Sequence, residues 1–132
     1  MDERELAIVR RTYAMQIVAA AGLDDPCLEA AFAELRREDF LGPGPWQILR
    51  DEGGYYATPN DDPVYVYQDA LVGIIPSKGL NNGQPHFLAF LISLGRLREG
   101  EHVVHIGAGV GYYTAIMARL VGATGKMTAI EY

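Results

Sequence analysis

Cysteine is almost missing: the 132 residues include one, Cys27. One thiol excludes an internal disulfide and cannot hold a zinc ion by itself, so nothing points to an oxidising compartment. Basic residues are scarce as well, with 11 Lys and Arg against 17 Asp and Glu and a formal charge of -6. A nucleic-acid binder must present clustered Lys and Arg to displace phosphate counterions, and that class of function is excluded. Long apolar runs are also lacking. The opening MDERELAIVRR is charged throughout and holds no apolar core of signal-peptide length. The greasiest run, 87–94, is far short of the roughly 20 residues a membrane helix needs. A cytoplasmic protein with no membrane partner is expected. Serine is nearly absent too, confined to Ser77 and Ser93.

What is present suits a folded domain. Hydrophobic residues make up 49% and charged residues 21%, far from a disordered composition, and the length fits one core better than two. Leu6, Val9, Tyr13 and Ile17 recur at helical spacing and predict a helix over 3–21, stopped by Gly22. Asp24-Asp25-Pro26 then offers an N-cap carboxylate and a proline suited to a first helical turn. Leu28, Ala31, Phe32 and Leu35 form the buried stripe of that second helix, expected to run into Gly42-Pro43. Arg36-Arg37 beside Glu38-Asp39 reads as a helix-end charge cluster.

The middle of the chain is less regular. Residues 42–63 are rich in Gly, Pro, Asn and Asp but hold Trp46, Tyr55 and Tyr56, which predicts a packed loop. Residues 64–67 and 71–75 are β-prone and predict short strands. Asp61-Asp62-Pro63 reads as a solvated turn, and Tyr55, Tyr56, Tyr65 and Tyr67 as core packing in preference to a peptide groove. Asn81-Asn82-Gly83 is a turn signal. Pro85 opens a helix whose Phe87, Phe90, Leu91, Leu94 and Leu97 cover a wide face and should be well buried. His86, in its first turn, has no visible partner.

From residue 99 the pattern becomes α/β. A strand over 102–106, a glycine-rich loop, a helix to 120 and a strand over 126–131 make one βαβ unit. The expected division is a helical and short-strand region over 1–83 and the first part of an α/β cofactor-binding domain over 84–132, joined as one structural unit.

The informative stretch is Gly107-Ala108-Gly109-Val110-Gly111, with Glu131 following at the end of the next strand. Glycines let the backbone turn sharply and let a ligand approach it closely. An acidic residue at the end of the following strand can accept hydrogen bonds from ribose hydroxyls. Together they describe a nucleoside-binding crevice. A dinucleotide fingerprint would read G-x-G-x-x-G; here the third glycine comes one residue early and position 112 is Tyr. A nicotinamide-dinucleotide domain is therefore the weaker alternative.

The run VVHIGAGVGYYTAIMARLVGATGKMTAIE resembles the cofactor segment of the protein-L-isoaspartate (D-aspartate) O-methyltransferases, which use S-adenosylmethionine. Tyr112, Ala115, Val121-Gly122 and Glu131 fall where that family has its Tyr, Ala-rich helix, Val-Gly turn and acidic strand end. Upstream, 37–41 (REDFL), Tyr67-Gln68-Asp69 and Gly83-Gln84-Pro85 resemble its Arg-x-x-Phe-Val, Tyr-x-Asp and Ser-Gln-Pro segments in the same order. The resemblance implies a Rossmann-like methyltransferase fold, incomplete, with an N-terminal helical extension. It implies methyl transfer to an isoaspartyl-type carboxylate of a damaged protein or peptide. His105, Gly107, Ala108, Gly109, Gly111, Tyr112 and Glu131 would line the cofactor, and the loop Asn82, Gly83, Gln84 would flank the methyl group and the acceptor. No metal is implied.

Three positions depart from the family pattern. Gly83 stands where the family has Ser or Thr; Asn82 or Gln84 could supply the polar contact, or Asn82-Gly83 could be a plain turn. His105 stands where the family has an acidic residue, and a histidine satisfied at a strand end is the preferred reading. The sequence ends at Glu131-Tyr132, before the elements that complete the family's sheet. The expectation is a truncated chain, inactive alone, with unpaired sheet edges open to self-association. The competing reading is a degenerate module that binds a nucleoside or a partner without turnover.

Overall fold

A computed structural model of the chain describes residues 1–132. Helix α1 (Glu3–Ala20) begins with a capping box: Asp2 accepts from the Glu5 N–H at 2.9 Å, and the Glu5 carboxylate accepts from the Asp2 N–H at 3.0 Å. Helix α2 (Pro26–Glu34) begins with the Asp25 carboxylate accepting from the Leu28 N–H at 3.0 Å. It ends sooner than its apolar stripe suggests. Leu35 and Arg36 turn extended, and a single 3-10 turn, Arg37–Phe40, follows in place of further α-helix.

The stretch expected as a loop contains strands β1 (Gln47–Leu49) and β2 (Tyr55–Ala57), paired antiparallel. With β3 (Val72–Ile75) and β4 (Leu80–Asn82) they form a four-stranded sheet in the order β2-β1-β3-β4. Three-residue strands are too short to show a period of two, which is why the sequence reads as loop there. Residues Pro63–Val66 form a 3-10 turn, not the expected strand. The Asp62 carboxylate accepts from the Val64 N–H at 3.0 Å, and Pro63 occupies the first helical position, so the chain starts a helix before its β-prone residues can pair. Asn81 and Asn82 belong to β4, where a turn was expected; their backbone pairs with Gly73 and Val72.

Helix α3 (Pro85–Leu94), strand β5 (His102–Ile106), helix α4 (Tyr112–Val121) and strand β6 (Lys126–Ile130) follow. β5 and β6 pair in parallel from His102 with Lys126 to Ile106 with Ile130, the βαβ unit the sequence predicts.

One core joins these parts. Leu6, Tyr13 and Ile17 of α1 meet Leu28 and Phe32 of α2, Ile48 and Val72 of the first sheet, Ala89 and Ile92 of α3, and Tyr112 and Ile116 of α4. Phe32 sits edge-on between Tyr13 and Tyr112, with ring centroids 6.2 Å from each. Tyr67 joins this core and Tyr56 packs against it, while Tyr55 and Tyr65 stay half-buried. The parallel strands contribute far less: Val104, Ile106 and Ile130 are exposed, Ile106 to 76%. α3 also differs from expectation. It packs against α1 with Pro85, Ala89 and Ile92, and leaves Phe87, Phe90, Leu91 and Leu94 in solvent, because only one of its sides meets another element.

Candidate functional site

The chain turns sharply where β5 ends. Gly107, Gly109 and Gly111 all have positive φ, at 75°, 57° and 91°, and a Cβ built on any of them would meet nothing within 4 Å. The backbone here is therefore left-handed, which disfavours any side chain, and it faces open space. The N–H groups of Gly107 and Ala108 donate to the Ile130 carbonyl at 2.8 and 3.1 Å, which ties the loop to the end of β6. The Gly109 N–H donates to the Glu131 carboxylate at 2.5 Å. Backbone and acidic residue thus meet at the carboxyl ends of two parallel strands, the edge where open α/β sheets bind ligands.

His105 and Thr114 share a hydrogen bond of 2.7 Å. Burial pushes the His105 pKa down, against the nearby Glu131 charge, which raises it. The imidazole is a satisfied, neutral group near neutral pH, and it brings no negative charge to the site.

The opposite wall comes from the β4–α3 connection and from α4. Together they enclose a cleft of about 490 Å³ lined by His105, 107–110 and Glu131 on one side and by Asn81, Asn82, Gly83, Leu88 and Tyr113 on the other. Exposed Ile75, Leu80 and Val110 also line it. A larger groove, about 810 Å³ between α1 and α2, is lined by Ile8, Arg11, Met15 and Glu29 and holds none of the motif residues. Chemistry, not volume, assigns the site to the smaller cleft.

The cleft gathers Asn82, Gly83, His105, Gly107, Ala108, Gly109 and Glu131 from the residues expected at the site. It does not gather the other three. Gln84 turns away, with Nε2 donating to the Asp69 carbonyl at 3.4 Å. Gly111 caps the start of α4. Tyr112 points into the core, shares a 3.2 Å hydrogen bond with the Tyr13 hydroxyl and packs against Phe40 and Tyr113. One residue on, the helix has turned by roughly 100°, so Tyr113 reaches the cleft and donates its hydroxyl to the Gly83 carbonyl. Burial pushes the Tyr113 phenol pKa well up, which keeps that proton in place. Tyr113 was the residue to find; the signal was its position one step after a tyrosine that packs inward.

Two further polar side chains differ from expectation. Arg37 is not part of a surface cluster but fully buried, while its neighbour Arg36 stays outside and pairs with Glu38 and Asp39. His86 has a partner after all: the Asp69 carboxylate accepts from its backbone N–H at 3.0 Å and lies 2.7 Å from its Nδ1. Asp69 therefore holds the first turn of α3 from outside the helix, the task an N-cap side chain usually does.

The family model described as protein-L-isoaspartate(D-aspartate) O-methyltransferase matches residues 53–132. Protein-L-isoaspartate O-methyltransferase 1 of Rhodopseudomonas palustris is 31% identical over 130 residues, covering 98% of this chain and 44% of that protein. Protein-L-isoaspartate O-methyltransferase 2 of Archaeoglobus fulgidus is 33% identical over 98 residues, 74% of this chain and 44% of that protein. A solved protein-L-isoaspartate O-methyltransferase structure superposes with a TM-score of 0.68 at 28% identity, over 92% of this chain and 34% of that one. The chain thus spans less than half the length of these relatives.

Proposed function

The chain belongs to the protein-L-isoaspartate (D-aspartate) O-methyltransferase family, and from that premise we propose that its cleft binds S-adenosylmethionine and presents it to an isoaspartyl-type carboxylate of a damaged protein or peptide. The fold is the Rossmann-like α/β class of that family, with the helices α1 and α2 ahead of it. The observation that carries the reading is the meeting of the open glycine backbone with Glu131 across the ends of β5 and β6. A Cβ at 107 or 109 would project into space that a nucleoside could use, and Glu131, bonded to the Gly109 N–H, is an acceptor for ribose hydroxyls on the same wall. The residues present fit the cofactor.

When bound, S-adenosylmethionine supplies a methyl group activated on a sulfonium. The protein's own share is placement. A substrate carboxylate is ionised near neutral pH, so no side chain need remove a proton before it attacks. Gly107, Ala108 and Gly109 offer a close-fitting backbone surface, and Glu131 holds the sugar. Leu88, Tyr113 and Val110 line the cleft with apolar surface that keeps water from competing with the acceptor. A cytoplasmic setting goes with this reading; no helix is long and apolar enough to cross a membrane.

The exposed apolar faces of α3, β5 and β6 favour a second reading, in which the chain by itself binds the nucleoside without turnover. Calorimetric titration with S-adenosylhomocysteine tests what both share. A hydrogen bond to a charged group contributes about 1.5–3 kcal/mol, so Glu131→Ala should weaken binding about tenfold or more. Equal affinity in that variant removes Glu131 from the ribose. Methyl transfer from labelled S-adenosylmethionine to an isoaspartyl peptide then separates the two readings.

A further inference from the structure

The cleft has a gap in its chemistry. None of its lining residues is Lys or Arg, and its charged side chain is Glu131. An acceptor carboxylate entering it needs a donor. Gly83 has no side chain to give, and a Cβ there would come within 2.7 Å of Leu88 Cδ2. Tyr113 commits its proton to the Gly83 carbonyl, Gln84 donates to the Asp69 carbonyl, and Asn81 Nδ2 donates to the Gly79 carbonyl at 3.2 Å.

Asn82 is different. It is 6% exposed, and its Oδ1 accepts twice from Arg37, from Nε at 3.1 Å and Nη2 at 3.0 Å. A guanidinium has no acceptor, so this pair of bonds fixes which way the amide points. Asn82 Nδ2 is left without a partner in the chain and is not sealed from solvent, and Asn82 is one of the residues that line the cleft. Behind it, Arg37 is fully buried, and every other bond it makes is to a neutral carbonyl: Nη1 to Val66 and Gln68 at 2.9 and 3.0 Å, Nη2 to Ala70 at 2.9 Å. A buried cation with no directly paired carboxylate keeps its field, and a hydrogen bond in a low-dielectric interior polarises the group it touches.

We propose that Asn82 Nδ2 is the donor that receives the acceptor carboxylate, and that Arg37, acting through Asn82, is the positioning residue that aims and polarises this amide. The proposal rests on the methyltransferase reading of the cleft. It explains how a site without a facing cation and without the usual hydroxyl could still select an anion over its neutral amide.

The test uses the whole chain, labelled with nitrogen-15, in the presence of S-adenosylhomocysteine. A short L-isoaspartyl peptide and its uncharged isoasparaginyl counterpart are titrated in turn. The Asn82 side-chain amide protons should move downfield with the first and little with the second, and the carboxylate peptide should bind about tenfold to a hundredfold tighter. Asn82→Asp keeps both acceptor positions for Arg37, so it folds, but it removes the donor and neutralises the guanidinium. In that variant the preference for carboxylate over carboxamide should vanish, and the amide-proton shift in the parent separates lost donation from simple repulsion by the new carboxylate. Asn82→Asp binding the isoaspartyl peptide as well as the parent, or an Asn82 signal unmoved by that peptide while S-adenosylhomocysteine is bound, overturns the inference and leaves the cofactor reading standing. Failure of the parent chain to bind S-adenosylhomocysteine overturns the reading beneath it, and the inference with it.

Discussion

Placing the family's serine back at position 83 should destabilise this chain. The backbone itself does not object, because Gly83 is not among the glycines with positive φ. The obstacle is Leu88: a Cβ at 83 would stand 2.7 Å from its Cδ2 and 3.5 Å from its Cγ, with Tyr113 Cε2 at 3.8 Å in ordinary contact. Overpacking a tight core costs about 1–3 kcal/mol. Leu88 is half-buried and the contact is with the end of its side chain, so a rotamer change can relieve part of it. The cost expected for Gly83→Ser is therefore near the lower bound, about 1 kcal/mol. Leu88→Ala removes the clashing atoms and costs its own lost burial, so it supplies the control. In the double variant the two costs should fall short of their sum by about 1 kcal/mol. Urea unfolding of the four proteins, followed by far-ultraviolet circular dichroism, reads this coupling. Strict additivity, or a Gly83→Ser variant as stable as the parent, would refute the assignment of Leu88 as the reason glycine is needed.

Two other perturbations probe the fold and the site from different sides. Phe32 is fully buried between Tyr13 and Tyr112, so Phe32→Ala should cost about 3–5 kcal/mol in the same unfolding assay; a loss under about 1 kcal/mol would place it outside the core. His105 has a folded-state pKa below its ordinary 6.5 because it is partly buried. The fold favours its neutral form, so its contribution is whole above pH 6.5 and is lost as the pH falls from there through the folded value. Stability measured from pH 7.5 to 5 should therefore fall less steeply in His105→Asn than in the parent, and identical slopes would refute the shift.

The sequence announces elements wherever a local device marks them. Asp25 with Pro26 and Pro85 each flag a helix start where α2 and α3 begin, and the spacing of Leu6, Val9, Tyr13 and Ile17 marks α1. The alternation of strand, glycine loop and helix from 102 onward is equally local. β1 and β2 are not local in this sense, since their three-residue strands exist by virtue of pairing with each other and with β3. Residues 64–67 mislead for the opposite reason: the β-prone run is real, but Asp62 and Pro63 just before it commit the backbone to a 3-10 turn. Arg37 was illegible because a charged run, Arg36 to Asp39, ordinarily lies on a surface. Its burial depends on carbonyls at 66, 68 and 70 and on an amide at 82, none of which proximity in sequence could reveal. Periodicity showed that α3 is apolar on a wide face, but not how much of that face would be covered.

The two walls of the cleft are held in different ways. The glycine-loop wall rests on β5 and β6, whose outer residues add little to the core. The opposing wall rests on Asn82 and Gly83, and through Arg37 it reaches the 3-10 turn at 37–40 and the segment 66–70. α4 joins the two. Its first residue, Tyr112, is bound into the core at Tyr13 and beneath the Arg37 guanidinium, 5.8 Å from the ring centre. Its second residue, Tyr113, is bonded to the β4–α3 connection at Gly83. Its N-cap is the last glycine of the loop. Successive side chains on one helical turn thus face core and cleft, and the glycine loop cannot shift without moving the helix that both tyrosines pin. The weakly buried parallel strands therefore do not leave the site loose, because its alignment is set at α4.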